Sequence, residues 1–234
     1  MIMRIRLYLS VLAEPPMPAL MLVSLFAWLA LLLSGDSMHA SGHHHTVDNA
    51  VVHMLVQSTW PWFLMVLAMM SPLLANAIHH LWVRSLSRRR IRAIIFFTVA
   101  YITVWMLAGA VLLLGTEQLK VLSSFGWFAA PATSLLIALV WQASPWKQIC
   151  LNRCHLQPRL SAFGLAADGD CLRFGLVKGF FCVGTCWALM FLPLVFVSAG
   201  LPLMLVISLF LLMEQYRPAR PAQWRIPLLG RMSN

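Results

Sequence analysis

Charge is scarce in this chain. Of 234 residues, 10% are Asp, Glu, Lys or Arg and 61% are hydrophobic. A soluble domain carries roughly 25% charged residues, so the chain has too little polar surface to cover itself in water. Acidic residues are scarcer still: Asp and Glu total 7, and most fall between the apolar runs. That argues against a carboxylate pair for hydrolysis. It also argues against a carboxylate proton relay, which needs an acid inside a membrane span; only Glu214, closing the last apolar run, comes near. A G-x-x-x-x-G-K-[ST] phosphate loop, an H-E-x-x-H zinc motif and a dinucleotide-binding glycine pattern are all missing. No catalytic residue is assigned, no internal repeat is evident, and no polar segment is long enough for a separate soluble domain.

What fills the space is apolar sequence. A helix needs about 20 mostly apolar residues to cross a bilayer core, and six runs qualify: Met17 to Ser34, Trp60 to Val83, Ile94 to Gly115, Trp127 to Ser144, Gly179 to Ala199, and a last one ending near Met213. The final two are parted only by Ser198-Ala199-Gly200-Leu201-Pro202, which reads as a tight hairpin. With the N-terminus inside, Arg4, Arg6, Arg84, Arg88, Arg89, Arg90, Arg92, Lys147, Arg153, Arg159, Arg173, Lys178, Arg217, Arg220, Arg225 and Arg231 are cytoplasmic, and of the 17 basic residues only Lys120 is outside. This is the positive-inside pattern. The net charge of +10 therefore describes topology rather than a nucleic-acid footprint, and Arg88-Arg89-Arg90 is a topology anchor.

The sequence reads as an all-α fold, a polytopic transmembrane helix bundle of about six spans with both termini cytoplasmic. Residues 1–16 are an interfacial lead-in rather than a cleaved signal, because Glu14-Pro15-Pro16 follows the short apolar run and no small-residue cleavage site does. Residues 17–215 form the membrane domain, with a His-rich outer loop at 35–59 and a Cys-containing inner loop at 145–172. Residues 216–234 are a basic cytoplasmic tail.

Soft metal ligands are plentiful: 14 Met, 5 Cys and 8 His. His39, His43, His44, His45 and His53 crowd the outer loop with Met38 and Met54, and His-rich tracts bind transition metals through neutral imidazole. In the second run Trp62, Met65, Met69, Pro72, Asn76 and His79 alternate by three and four, which places them on one helix face. Packing by flexible methionines is the plainer account of that stripe. Cys150 and Cys154 form one C-x-x-x-C pair and Cys182 and Cys186 another, each with both sulfurs on one face of a helix. The cytoplasmic side is reducing, so disulfides are disfavoured there, and thiolate ligation of copper(I) or zinc(II) is the functional alternative to burial as small hydrophobes. Met190 continues the face of Cys182 and Cys186. If the second and fifth spans touch, a ladder of soft ligands runs from His43, His44 and His45 past Met65, Met69 and Met190 to Cys186, Cys182, Cys150 and Cys154, with His79 at the inner end of its helix.

At these residues the sequence resembles a bacterial family of unknown function described as predicted metal-binding integral membrane proteins. The matching elements are Trp62-x-x-Met65-x-x-Ala68-Met69-Met70-x-Pro72, Tyr101 and Trp105, then Pro145, Lys147, Cys150, Leu151 and Cys154, then Cys182, Gly184, Cys186, Trp187, Leu189 and Met190, with Glu214 closing the last span. Two positions depart from the family pattern: Thr185 stands where an adjacent cysteine is usual, and His155 where Arg is commoner. The resemblance implies a multi-pass protein of the bacterial inner membrane that binds a metal ion, and it supplies no reaction.

The leading expectation is a protein that binds or passes a soft transition metal, copper first and zinc second, between an outer His/Met loop and an inner Cys site. Its partners are the lipid bilayer, the metal ion and a periplasmic metalloprotein or membrane complex, with no nucleic acid. One competing reading is a membrane redox or haem-associated component, although no His lies near mid-membrane to ligate haem. Another is a non-catalytic assembly or scaffold subunit whose Met and Cys only pack.

Overall fold

Backbone groups in lipid have no water to bond, so apolar runs must close their hydrogen bonds within helices. The computed structural model of the chain follows that rule. It describes residues 16–33, 50–121, 126, 128–161, 163–196, 199–216 and 221–224. Among the described residues there are eight α-helices and no strand: α1 (Met17–Leu33), α2 (Ala50–Met70), α3 (Ala75–Arg84), α4 (Arg90–Val121), α5 (Ala129–Ala143), α6 (Pro145–Cys154), α7 (Gly164–Val195) and α8 (Gly200–Gln215). By length and composition two stretches can each cross a membrane, Ser87–Leu119 and Gly164–Val195. A third is possible if Ser58–Met70 and Pro72–Arg84, bent by 48° at Ser71, form one broken span. Met17–Leu33, Ala129–Ala143 and Gly200–Gln215 are shorter apolar helices.

Helix ends differ from the apolar boundaries at several places. Helix α2 begins at Ala50, so His53 and Met54 are on a helix rather than in a loop. The segment expected as an inner loop holds all of α6 and the first turns of α7. Local chemistry accounts for this. Ser144 is extended and caps α6, its hydroxyl accepting from the Lys147 N–H at 3.3 Å, and Pro145 takes the first helical position, where a missing N–H is harmless. At the other side Gly164 starts α7 with φ +73, a conformation that glycine adopts without strain. Of the hairpin expected at Ser198–Pro202, Gly200, Leu201 and Pro202 form the first turn of α8, and residue 198 is outside the described ones.

The chain divides into two units, Met1–Phe96 with Arg159–Cys171 and Phe97–Pro158 with Leu172–Asn234. In the first, α1 packs on α2 beside a break in the latter. Pro72 has no N–H, which leaves the Ala68 carbonyl without its helical donor. The Ser24 hydroxyl of α1 donates to that carbonyl at 2.7 Å, and the Ser71 hydroxyl donates to Leu67 O. Trp62, Met65, Met69 and Met70 are buried around the break. At the far end of this unit Arg89 and Arg92 pair with Asp168 at 2.6 and 2.7 Å.

In the second unit α7 is the central element. Its Gly175 faces the backbone of α4 at Phe97 and Ala100, where an added Cβ would clash, and Gly179 faces Val104 one turn on. Small residues at this spacing let two helix backbones approach closely. Phe97 and Phe174 pack with tilted rings across the same seam, centroids 5.0 Å apart. Trp141 of α5 packs edge-on against Trp187 of α7 and donates its indole N–H to the Gly184 carbonyl at 2.9 Å. Helix α6 lies against α7 through Cys150, Cys154 and Arg153.

Candidate metal centre

Four thiols lie on two packed helices of the second unit, Cys150 and Cys154 on α6 and Cys182 and Cys186 on α7. Cys182 and Cys186 are one turn apart on α7, and the Cys186 thiol donates to the Cys182 carbonyl at 2.9 Å. Between them lie Gly184 and Thr185, and α6 rests on these two residues. A Cβ at position 184 would stand 2.7 Å from the Cys150 sulfur, so the glycine is what lets that thiol reach α7. The Cys154 sulfur is 3.8 Å from the Thr185 hydroxyl, which itself donates to the Phe181 carbonyl at 2.7 Å. Cys154 and Cys186 are buried, whereas Cys150 and Cys182 are half-buried. All are free thiols.

Tyr101 of α4, fully buried, donates its hydroxyl to the Cys182 sulfur at 3.1 Å. Trp105 lies one turn along α4 and is also fully buried. Lys178, one turn before Cys182, donates from its ammonium to the Cys154 carbonyl. Below the thiols Lys147 is buried at 3% exposure, paired with Glu214 of α8 at 2.5 Å and hydrogen-bonded to Gln142. Its ammonium also stands over the Phe210 ring at 5.6 Å. His155 ties the two helix ends, with its ring nitrogens 2.8 Å from Leu151 O and 2.7 Å from Gln215 O. Burial pushes the Cys154 thiol up to about 12; the neighbouring Cys182 adds to the rise, and the Lys178 ammonium and Thr185 hydroxyl oppose it. Burial likewise raises Cys150, with Arg153 opposing. A metal that binds such a thiol displaces its proton.

The donor set is sulfur, without a carboxylate among the first neighbours of the cysteines, and that chemistry suits a soft ion. Among the described residues no three His, Cys, Asp or Glu side chains stand together as a ready-made metal cage. A family model for PpoB2, described as a copper chaperone, matches residues 59–230. The chain belongs to this family of copper chaperones. No curated protein matches the chain, and no solved structure does.

The PpoB2 match takes in eight of the eleven candidate positions, and the structure sorts them. Cys150, Cys154, Cys182, Cys186 and Met190 all belong to the second unit, with Met190 fully buried one turn beyond Cys186. Met65 and Met69, buried in α2, and His79, half-buried in α3, belong to the first unit. His43, His44 and His45 lie outside both the PpoB2 match and the described residues. Sequence reasoning passed over Tyr101 and Lys178 as neighbours of the thiols. The signal for Lys178 was present in its i−4 spacing from Cys182, whereas Tyr101 is brought in by the seam between α4 and α7. The fifth cysteine, Cys171, is buried in the first unit and belongs to no thiol group.

Proposed function

We propose that the chain is a multi-pass copper chaperone of the bacterial inner membrane, with six spans and both termini cytoplasmic, that holds copper(I) on the thiols of α6 and α7. The observation that supports this reading is the seating of one C-x-x-x-C helix on another at Gly184 and Thr185, which puts both pairs at one helix interface. Family membership supports copper as the cargo. Thiolates favour copper(I) over harder ions, with zinc(II) the nearest competitor. His43, His44 and His45, together with His79 and Met190, are the further soft donors of the same reading, serving to collect or pass the ion toward a periplasmic metalloprotein or a membrane complex, while Met65 and Met69 pack the break in α2.

Elemental analysis of the purified protein after growth in copper tests it. The wild type should carry copper, and a Cys150/Cys154/Cys182/Cys186→Ser variant should not. Equal copper content in the two proteins, or none in either, would overturn the reading.

A further inference from the structure

Two basic residues near the thiols have no carboxylate partner among the described residues: Arg153, which is exposed and stands over the Phe181 ring, and Lys178, which is half-buried. Among the described residues the ion pairs are Arg89 and Arg92 with Asp168, and Lys147 with Glu214. Lys178 has no carboxylate partner there; its ammonium is held by the Cys154 carbonyl alone. It is half-buried and shares a helix face with Cys182 and Cys186 at i, i+4 and i+8. A second donor, the Tyr101 hydroxyl, points at the Cys182 sulfur at 3.1 Å. A half-buried ammonium at the Cys154 carbonyl and a hydroxyl on the Cys182 sulfur thus adjoin a thiol of each helix, an arrangement suited to a site that becomes negative when filled.

Resting on the copper reading above and deepening it, we propose that Lys178 sets the metal selectivity of this site, its charge favouring a monovalent soft cation held by one thiolate from α6 and one from α7. The balance is simple. Two thiols each lose a proton to solvent as the ion binds, leaving two thiolates. With a monovalent ion the complex carries one negative charge, which the Lys178 ammonium cancels. With a divalent ion the same pair is already neutral, and the ammonium leaves an uncompensated positive charge in a half-buried site, where charge costs more than in water. A third thiolate would restore the balance for a divalent ion, but no three such donors are assembled among the described residues, and zinc(II) takes four ligands. Coordination number and charge therefore select in the same direction.

The test uses the full-length protein, reduced and metal-free in detergent, titrated with copper(I) against a chromogenic copper(I) chelator and separately with zinc(II) against a zinc indicator. Lys178→Gln keeps a donor for the Cys154 carbonyl and removes the charge. It should weaken copper(I) binding roughly 10- to 100-fold, as expected of a group acting through the ligands, while zinc(II) affinity is unchanged or rises. Lys178→Arg should hold the copper-to-zinc ratio near that of the wild type. An unchanged ratio in Lys178→Gln, with copper(I) still bound by the wild type, would overturn this inference and leave the copper function standing. Failure of the wild type to bind copper(I) would overturn both. If Lys178→Gln is not recovered folded, the wild type decides: silver(I) should displace copper(I), and displacement by equimolar zinc(II) would overturn the assignment.

Discussion

Two regions of the molecule carry soft donors at helical spacing, and they are built on opposite principles. At the break in α2, Met65, Met69 and Met70 are buried, and the Ala68 carbonyl that Pro72 leaves without a donor is capped by Ser24. Around Cys182 the donors are flanked by charge and hydrogen-bond donors: Lys178, Tyr101, and the Lys147–Glu214 pair. The first region is finished, with its polar groups satisfied internally. The second keeps an unneutralised ammonium and thiols whose protons a metal can replace. Spacing alone makes the two look alike. The polar surroundings separate them, and they favour the thiols as the copper site and the methionines at the break as packing.

The largest expected effect tests the foundation of the second region. Lys147 and Glu214 are buried together, so removing one leaves a charge without compensation. Lys147→Met is expected to destabilise the protein by about 3–5 kcal/mol, measured by denaturant unfolding in detergent. Glu214→Leu added to it should recover most of the loss. A double variant as unstable as the single one would mean that packing, not charge, is what the pair supplies.

Next comes a direct contest between the regions. A Cys154/Cys182→Ser variant loses one thiolate from each helix and should bind copper(I) at least about a hundredfold more weakly, beyond the upper end expected for outer-shell changes. Met65/Met69→Leu replaces thioethers by hydrocarbon of similar volume, which cores tolerate at below about 1.5 kcal/mol, and should change copper affinity by less than about threefold. Chelator competition reads both. Equal losses would erase the distinction and put the methionines among the ligands.

A smaller effect sharpens the thiol side without deleting a donor. Gly184→Ala places a methyl group where the Cys150 sulfur now rests, 2.7 Å from it. The thiol must rotate away, and copper(I) affinity should fall about tenfold, within the range for misplaced ligands, with the helical content unchanged by circular dichroism.

Much of this was legible in the sequence, and the misses have physical causes. The i, i+4 cysteine pairs could be read directly, because helical spacing is local. Gly184 stood out as a motif position, yet its role depends on α6 arriving against α7. The Lys147–Glu214 pair joins positions 67 residues apart, and no local pattern announces it. Helix ends were misjudged because hydropathy marks the lipid boundary, whereas a helix stops where capping and backbone chemistry allow. Ala50 to Gln57 continues α2 beyond its most apolar part, and Gly164 rather than Gly179 begins α7. The boundary between α5 and α6 came closest, since Ser144 and Pro145 stop one helix and start the next.

The smallest effect returns to the break in α2. Ser24 supplies the hydrogen bond that Pro72 denies the Ala68 carbonyl. Ser24→Ala strands that carbonyl in a buried place, at a cost of about 1 kcal/mol, while Ser24→Thr keeps a hydroxyl and should cost less. The decisive readout is copper. If the methionine region is packing, Ser24→Ala lowers the unfolding midpoint and leaves copper(I) affinity within about twofold, because a carbonyl capped from within its own unit has no part in the thiol site. A tenfold loss of affinity with a folded protein would show that loosening the break disturbs the ion, and the methionines would then belong to its path rather than to the scaffold.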